Sequence, residues 1–281
     1  MHVSKAVLIT GCSSGIGWAT AGRLVDVGWK VYATARNVES IAPLQARGCT
    51  LLPLDVTDET SMRQAVKEIE QDEGAVGVLV NNAGYSQSGA VEAVPMDKVR
   101  SQFETNVFGL VRMCQLVLPR MRRQGYGRIV NVSSMGGKLT LPGAGHYHAT
   151  KHAVEALSDA LRFEVEGFGI KVSVIEPGLI KSGFADAAVG SMDGPEDGPY
   201  TGFDEAVARA TTENYERGPI SRLAGQPETV AEAIERAISA RSPRSRYVVT
   251  PSAHLFMWLR SLLPDSVWDA VLKTSYPQPG R

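Results

Sequence analysis

Little in this chain points to an export, membrane or nucleic-acid role. Only three cysteines occur in 281 residues (Cys12, Cys49 and Cys114), with no CxxC pair and no even set for a disulfide framework. Buried, reduced thiols acting as small apolar fillers, in a cytoplasmic protein, are the expectation. Neither sign of charge is in excess: 29 Lys+Arg stand against 30 Asp+Glu, for a formal net charge of -1. Such a balance leaves no electrostatic footprint for nucleic acid, and the Arg-rich stretch 241–246 is too short to supply one. No apolar run reaches the ~20 residues of a membrane-spanning helix. The Ala6–Ile9 run is too short for a signal-peptide core. Internal repeats and low-complexity tracts are also missing.

What is present is an ordinary globular composition, 43% hydrophobic and 21% charged, which excludes disorder and fibrous repeats. Short apolar, β-branched runs at Ala6–Thr10, Lys30–Thr34, Thr50–Leu54, Gly77–Asn81, Arg128–Val132, Lys171–Ile175 and Arg246–Thr250 read as strands. Amphipathic stretches lie between them, at Ile16–Val27, Thr60–Glu73, Asp97–Arg123, His146–Phe168 and Glu228–Ala240. Near-continuously apolar strands alternating with helices predict an α/β fold: a doubly wound, mainly parallel seven-stranded sheet covered on both faces, in one domain over 1–281. The Gly- and Pro-rich segment 182–219 reads as a loop over the active face, with a short helix near Asp204–Tyr215. An apolar tail follows at 251–281. Its stretch Leu255–Leu263, with Phe256 and Trp258, is open to core packing, subunit contact or peripheral membrane binding. Arg260 alone is little charge for lipid, so membrane association is not expected.

Two groups of residues carry chemistry. The first strand runs into Thr10-Gly11-Cys12-Ser13-Ser14-Gly15-Ile16-Gly17 and then a helix. Glycines there permit a tight turn and close approach of backbone to phosphate, and a helix N-terminus offers free N–H groups to a pyrophosphate. At the end of the second strand, where a carboxylate would bind the ribose 2′-hydroxyl of NAD, the chain has Ala35-Arg36-Asn37. A guanidinium suits a 2′-phosphate, and Ser14 could add a hydroxyl, so NADP(H) is expected over NAD(H).

Tyr147 and Lys151 lie four apart in a helical stretch and so share a face. An adjacent ammonium would lower the phenol pKa into a useful range for acid–base work. Ser134 follows the strand Arg128–Val132, where parallel-sheet sites gather. His148, His152 and Glu155 share another spacing that could hold zinc, but a face turned from Tyr147 favours packing or a subunit contact. His146 is equally readable as a substrate neighbour or a polar helix start.

Taken together, Gly11-x3-Gly15-Ile16-Gly17, Asn81-Asn82-Ala83-Gly84, Ser134 with Tyr147-x3-Lys151, and Pro177-Gly178 resemble the short-chain dehydrogenase/reductase family, in its single-domain branch. Asp55-Val56 is similar to the family's adenine-flanking pair and Asn106 to its helix asparagine. The resemblance implies that Tyr147 exchanges the substrate hydroxyl proton while Ser134 orients the carbonyl. Lys151 would hold the nicotinamide ribose and depress the Tyr147 pKa, with Asn106 supporting a water that links Lys151 to solvent. Gly11, Ser13, Ser14, Gly15, Ile16, Gly17, Arg36, Asp55, Val56, Asn82, Ala83, Gly84, Pro177, Gly178, Ile180 and Ser182 would line the cofactor, Ser182 standing where the family usually has Thr.

The activity implied is hydride transfer between NADP(H) and a secondary alcohol, ketone or aldehyde, without metal. A regional likeness to the hydroxysteroid and retinol branch (Lys30–Arg36 and the tail) and the apolar residues Leu139, Leu141, Phe184 and Ile220 suggest a lipophilic substrate of steroid, retinoid or fatty-acyl type. A non-catalytic dinucleotide sensor on the same fold is the alternative. The family also implies a homodimer or homotetramer, with the helices around Asp97–Arg123 and His146–Phe168 paired across a two-fold axis and Gly109 making room for the contact.

Overall fold

The computed structural model describes residues 3–192 and 198–280. Its centre is one seven-stranded sheet made of β1 (Val7–Ile9), β2 (Val31–Ala35), β3 (Thr50–Pro53), β4 (Val78–Asn81), β5 (Gly127–Val132), β6 (Ile170–Pro177) and β7 (Arg246–Val249). Every adjacent pair is parallel. The order is β3-β2-β1-β4-β5-β6-β7. The chain winds outward one way from β1 and then, from β4, the other way, which opens a crevice at the carboxyl ends of β1 and β4.

Strand residues alternate between two apolar layers, as the two-residue period requires. Leu8, Tyr32, Leu79, Ile129 and Val172 face one core. This core is closed by α3 (Glu59–Glu73), α5 (Gly109–Gln124) and α6 (Gly145–Val165). Val7, Ile9, Val31, Ala33, Val78, Val80 and Val130 face the other, beneath α1 (Gly15–Asp26) and α9 (Pro227–Ser239). In α9 the buried residues Val230, Ala233, Ile234, Ala237 and Ile238 recur at helical spacing. Truncating the fully buried Ile234 to alanine is expected to cost about 2–5 kcal/mol.

Local signals set element ends. In α3, Asp58 caps the start by accepting from the Thr60 amide (2.8 Å), and Gly74 closes the helix at φ 81°. α2 (Ala42–Ala46) is a short link between β2 and β3.

Three local features differ from the sequence expectation. The long helix 97–123 is α4 (Met96–Phe103) and α5 joined by a π turn, Glu104–Phe108, which holds Asn106. Such turns are rare and cluster at functional sites. The 182–219 segment is largely helical, with α7 (Phe184–Gly190), α8 (Thr201–Thr212) and a π turn at Glu213–Arg217. Alanine-rich runs at 184–190 and 205–210 favour helix. Its glycines and prolines cluster between those runs; residues 193–197 of this segment lie outside the described residues. Lastly, Gly109 faces inward: a β-carbon there would lie 2.9 Å from the Val56 β-carbon. Its small size serves contact with the β3 side of the sheet, not a subunit contact.

The tail forms α10 (Pro251–Leu262) and α11 (Asp265–Leu272). Ala253, Phe256 and Met257 pack against Met135 and Leu179, whereas Trp258, Leu262 and Val271 are exposed. Among the described residues, no helix is long and apolar enough to cross a membrane. The three cysteines are free and buried.

Candidate active site

At the carboxyl ends of the central strands lies a cavity of about 810 Å³. Its nucleotide end is built by a lock between β1 and β4. The Thr10 hydroxyl oxygen accepts from the backbone amides of Asn82 and Ala83, both at 3.0 Å. The Asn82 side-chain amide donates back to the Thr10 and Gly11 carbonyls, at 3.0 and 2.9 Å. Gly11 turns there at φ 73°, and a β-carbon would come within 2.8 Å of the Ala83 α-carbon. Only glycine meets both demands. Gly15 turns at φ 55° and stands against Ser182, whose hydroxyl accepts from the Phe184 amide (3.4 Å) at the start of α7. The first turn of the 182–219 segment therefore sits directly on the glycine loop.

Of the residues expected to line a cofactor, Gly11, Ser13, Ser14, Gly15, Ile16, Arg36, Asp55, Val56, Asn82, Ala83, Gly84, Pro177, Gly178, Ile180 and Ser182 all border this cavity. Gly17 does not. It is buried behind the loop, where a side chain would collide with Gly11 and Asn82. The site fits a dinucleotide on its own chemistry: a glycine cradle that any β-carbon would fill, open backbone at the N-terminus of α1, and a cation, Arg36, at the end of β2. The Asp55 carboxylate is engaged locally, accepting from the Thr57 amide (2.9 Å) and hydroxyl (2.8 Å).

At the other end Ser134, Tyr147 and Lys151 line the same cavity. Ser134 follows β5 and caps a short turn by accepting from the Gly136 amide (3.0 Å). Burial pushes the Tyr147 hydroxyl up to about 12, opposed by a hydrogen bond with Ser134. The Lys151 ammonium donates to the Val132 carbonyl (2.8 Å) and lies 5.7 Å from the centre of the Tyr147 ring. Burial brings Lys151 down to about 8, with the charge of Glu155 opposing. The hydrogen bond with Ser134 pulls Tyr147 down, while the Lys151 ammonium is held by the end of β5.

Asn106 is buried beside this cluster and outside the cavity wall. It clamps the backbone of Tyr85 in both directions, donating to its carbonyl (2.9 Å) and accepting from its amide (3.1 Å), and it donates to the Thr150 hydroxyl (3.1 Å). The π turn brings it to that position.

The substrate end is aromatic. Phe184 lies 5.5 Å from Tyr147 and 6.4 Å from Tyr215, centre to centre, and both line the cavity. Tyr215 was visible in sequence only as the end of an expected helix. Its role as a wall depends on how that segment folds over the site.

His146 is turned toward the Val91 carbonyl (3.4 Å) and does not border the cavity. His148 is buried; its Nδ1 accepts from the Leu141 amide (3.1 Å), and burial lowers it to about 4, so it is neutral. His152 is exposed while Glu155 is buried, and the described residues contain no cluster suited to a metal. Glu155, one turn past Lys151, is buried against Lys138 and Arg246, which the zinc spacing did not anticipate.

With this geometry in place, comparison with known proteins is informative. A family model described as short chain dehydrogenase matches residues 5–191. The chain belongs to the short-chain dehydrogenase family. A 3-ketodihydrosphingosine reductase of Bacteroides thetaiotaomicron is 37% identical over 275 residues, covering 97% of this chain and 98% of the relative. An NADPH-dependent 3-dehydrocapnine reductase of Ornithobacterium rhinotracheale is 33% identical over 276 residues, 95% of each. A short chain dehydrogenase/reductase of Burkholderia phymatum, solved in complex with NAD, superposes with a TM-score of 0.79 at 25% identity, covering 93% of this chain and 95% of that one. This short-chain dehydrogenase is therefore an oxidoreductase acting on CH–OH groups with a nicotinamide dinucleotide. That sets the sensor reading aside.

Proposed function

We propose that this dehydrogenase uses NADP(H) to interconvert a lipophilic, long-chain ketone and its secondary alcohol, chiefly as a reductase at neutral pH. The observation that carries the reading is the convergence of Ser134 and Tyr147 beneath an aromatic wall, Phe184 and Tyr215, in the cavity that also contains the glycine loop. When bound, the dinucleotide supplies the hydride.

The chain's own residues do the rest. Ser134 donates to the carbonyl oxygen of the substrate and holds it against Tyr147. Tyr147, kept protonated by burial, gives its hydroxyl proton to that oxygen as negative charge develops there. Lys151, anchored on the Val132 carbonyl, is placed to hold the nicotinamide ribose and to restore the lost proton. Asn106 fixes the Tyr85 backbone next to Gly84, and so the wall opposite Lys151. Arg36 and Ser14 would meet a 2′-phosphate.

A keto substrate and NADPH are supported by the names of the two relatives, a 3-ketodihydrosphingosine reductase and an NADPH-dependent 3-dehydrocapnine reductase. An apolar chain is supported by Phe184, Ala187 and Tyr215 on the cavity wall. A cytosolic location, supported by the three free, buried thiols, belongs to the same reading. So does assembly into a dimer or tetramer through α4–α5 and α6, supported by exposed Phe108, Leu157 and Phe163.

The test is NADPH consumption against long-chain 3-keto compounds, short ketones, steroids and retinoids, repeated with NADH. The expected result is the highest kcat/KM for long-chain ketones with NADPH. Equal rates with short water-soluble ketones would remove the lipophilic assignment.

A further inference from the structure

Beneath the acid–base residues lies a buried knot of charge that the proposed chemistry does not use. Glu176, next to last in β6, is 0% exposed, and Glu155, one turn past Lys151 on α6, is 4% exposed. Lys138, from the turn after Ser134, places its Nζ 3.0 Å from Glu155 Oε2. Arg246, the first residue of β7, places Nη2 3.1 Å from the same oxygen and 2.6 Å from Asp159 Oδ2. Its Nε stands 3.3 Å from Glu176 Oε1, at ion-pair distance only.

Glu155 and Glu176 thus lean on Lys138 and Arg246, while Asp159 is held by Arg246 and by Arg162, whose Nη2 stands 2.9 Å from its other oxygen. Glu155 Oε1 and both oxygens of Glu176 are buried without a hydrogen-bond donor. The Glu176 carboxyl is also within hydrogen-bonding reach of Glu155. An ionised carboxylate in that setting is strongly disfavoured, and two buried carboxyls in contact resolve the conflict by keeping a proton between them.

We propose that Glu155 and Glu176 share one proton and, gripped by Lys138 and Arg246, act as a positioning clamp for the active site. Each partner sits beside a working residue: Lys138 four residues after Ser134, Glu155 four after Lys151, and Glu176 immediately before Pro177. With the shared proton, the Glu155–Glu176 pair carries a single negative charge against Lys138 and Arg246, and Asp159 keeps Arg162 as a cation of its own. Without it, a further negative charge falls on buried carboxyl oxygens that have no donor, in a cluster with Lys138, Lys151, Asp159, Arg162 and Arg246. Burial and the charge of Glu155 push Glu176 up to about 7, with Lys138 and Arg246 opposing. The same Glu155 charge supports the ammonium of Lys151 against burial. The positioning half of the proposal rests on the acid–base reading above; the shared proton does not.

Two variants test it. Infrared spectra at neutral pH should show a protonated-carboxyl band in the wild type that is missing in Glu176→Gln. Thermal unfolding should show the wild type losing stability, relative to that variant, as pH rises from the ordinary glutamate value to about 7, because the folded state holds the extra proton across that range. Glu155→Gln should lower kcat by about tenfold or more through misplacement of the catalytic groups. It should also move the alkaline limb of kcat down by about one pH unit, since Lys151 loses its negative neighbour. A purely structural role would lower the melting temperature and leave that limb in place. An unchanged infrared band and parallel unfolding curves in Glu176→Gln would overturn the shared proton. An unmoved alkaline limb in Glu155→Gln would overturn the clamp. If no carbonyl compound is turned over by any form, the catalytic reading has failed, and the infrared and unfolding data still decide the proton.

Discussion

Replacing Arg36 with aspartate should invert the choice between NADPH and NADH. Arg36 lies exposed at the end of β2, on the wall of the nucleotide end of the cavity. Among the described residues, no carboxylate forms an ion pair with Arg36, although Asp55 and Glu104 line the same cavity. The neighbouring Asn37 side chain is occupied in accepting from the Glu39 amide (3.1 Å), and Asp55 is held by Thr57. Among the cavity-lining residues described, Arg36 and Lys151 are the only cations, and Lys151 is at the catalytic end. A hydrogen bond from a charged donor is worth roughly 1.5–3 kcal/mol. Solvent exposure and salt screening push an open site to the lower part of that range. At 1.4 kcal/mol per decade, wild type should prefer NADPH by about ten- to thirtyfold. Aspartate removes the contact, repels a 2′-phosphate and offers an acceptor to a ribose hydroxyl, so the order should reverse. Fluorescence titration of both reduced cofactors, with wild type beside variant at low and high salt, measures this. Equal wild-type affinities, or a preference that survives Arg36→Asp, would refute the reasoning.

Other perturbations have equally definite outcomes. Tyr147→Phe should leave NADPH binding nearly intact and lower turnover by ~10²–10⁴-fold, the usual worth of a general acid–base group; steady-state kinetics with a binding titration checks both. Gly11→Val should abolish cofactor binding and destabilise the fold by at least about 1–2 kcal/mol, because of its φ of 73° and the nearby Ala83 backbone; calorimetry reads the loss. His148 has a folded-state pKa of about 4, below its unfolded value, so the stability it contributes is complete above the unfolded value and is lost as pH falls toward 4. The loss is up to roughly 3 kcal/mol, and His148→Asn should flatten that slope in pH-dependent unfolding. If the proposed assembly runs through α6, light scattering should find wild type larger than a monomer and Phe163→Glu, on the exposed face of that helix, shifted toward monomer.

The sheet was legible because all seven strands are short apolar runs and parallel strands are buried on both faces. The glycine loop and the Tyr147–Lys151 pair were legible because spacing places them at a strand end and on one helix face, and because together with Ser134, Asn81–Gly84 and Pro177-Gly178 they resemble one family's motifs. Three features were not. Asn106 depends on a π turn, which has no periodic signature distinct from the helix around it. The 182–219 segment mixes helix-forming alanines with the glycines and prolines that separate them, so composition averaged over the whole segment reads as loop. Glu155 and Glu176 lie 21 residues apart, on a helix and a strand. Only the packing of α6 on β6 brings those carboxyls together, and neither spacing nor charge count shows it.

The central claim is that Tyr147 completes a hydride transfer from NADPH to a long-chain ketone held by Ser134. Deuterium-labelled NADPH, a long-chain 3-keto substrate and mass analysis of the alcohol test it most directly. Wild-type protein should yield alcohol carrying deuterium on the carbinol carbon, and Tyr147→Phe, still binding NADPH, should yield almost none in the same time. Alcohol formed at an undiminished rate by Tyr147→Phe, or wild-type protein that binds NADPH and transfers no deuterium to any ketone, would contradict the account.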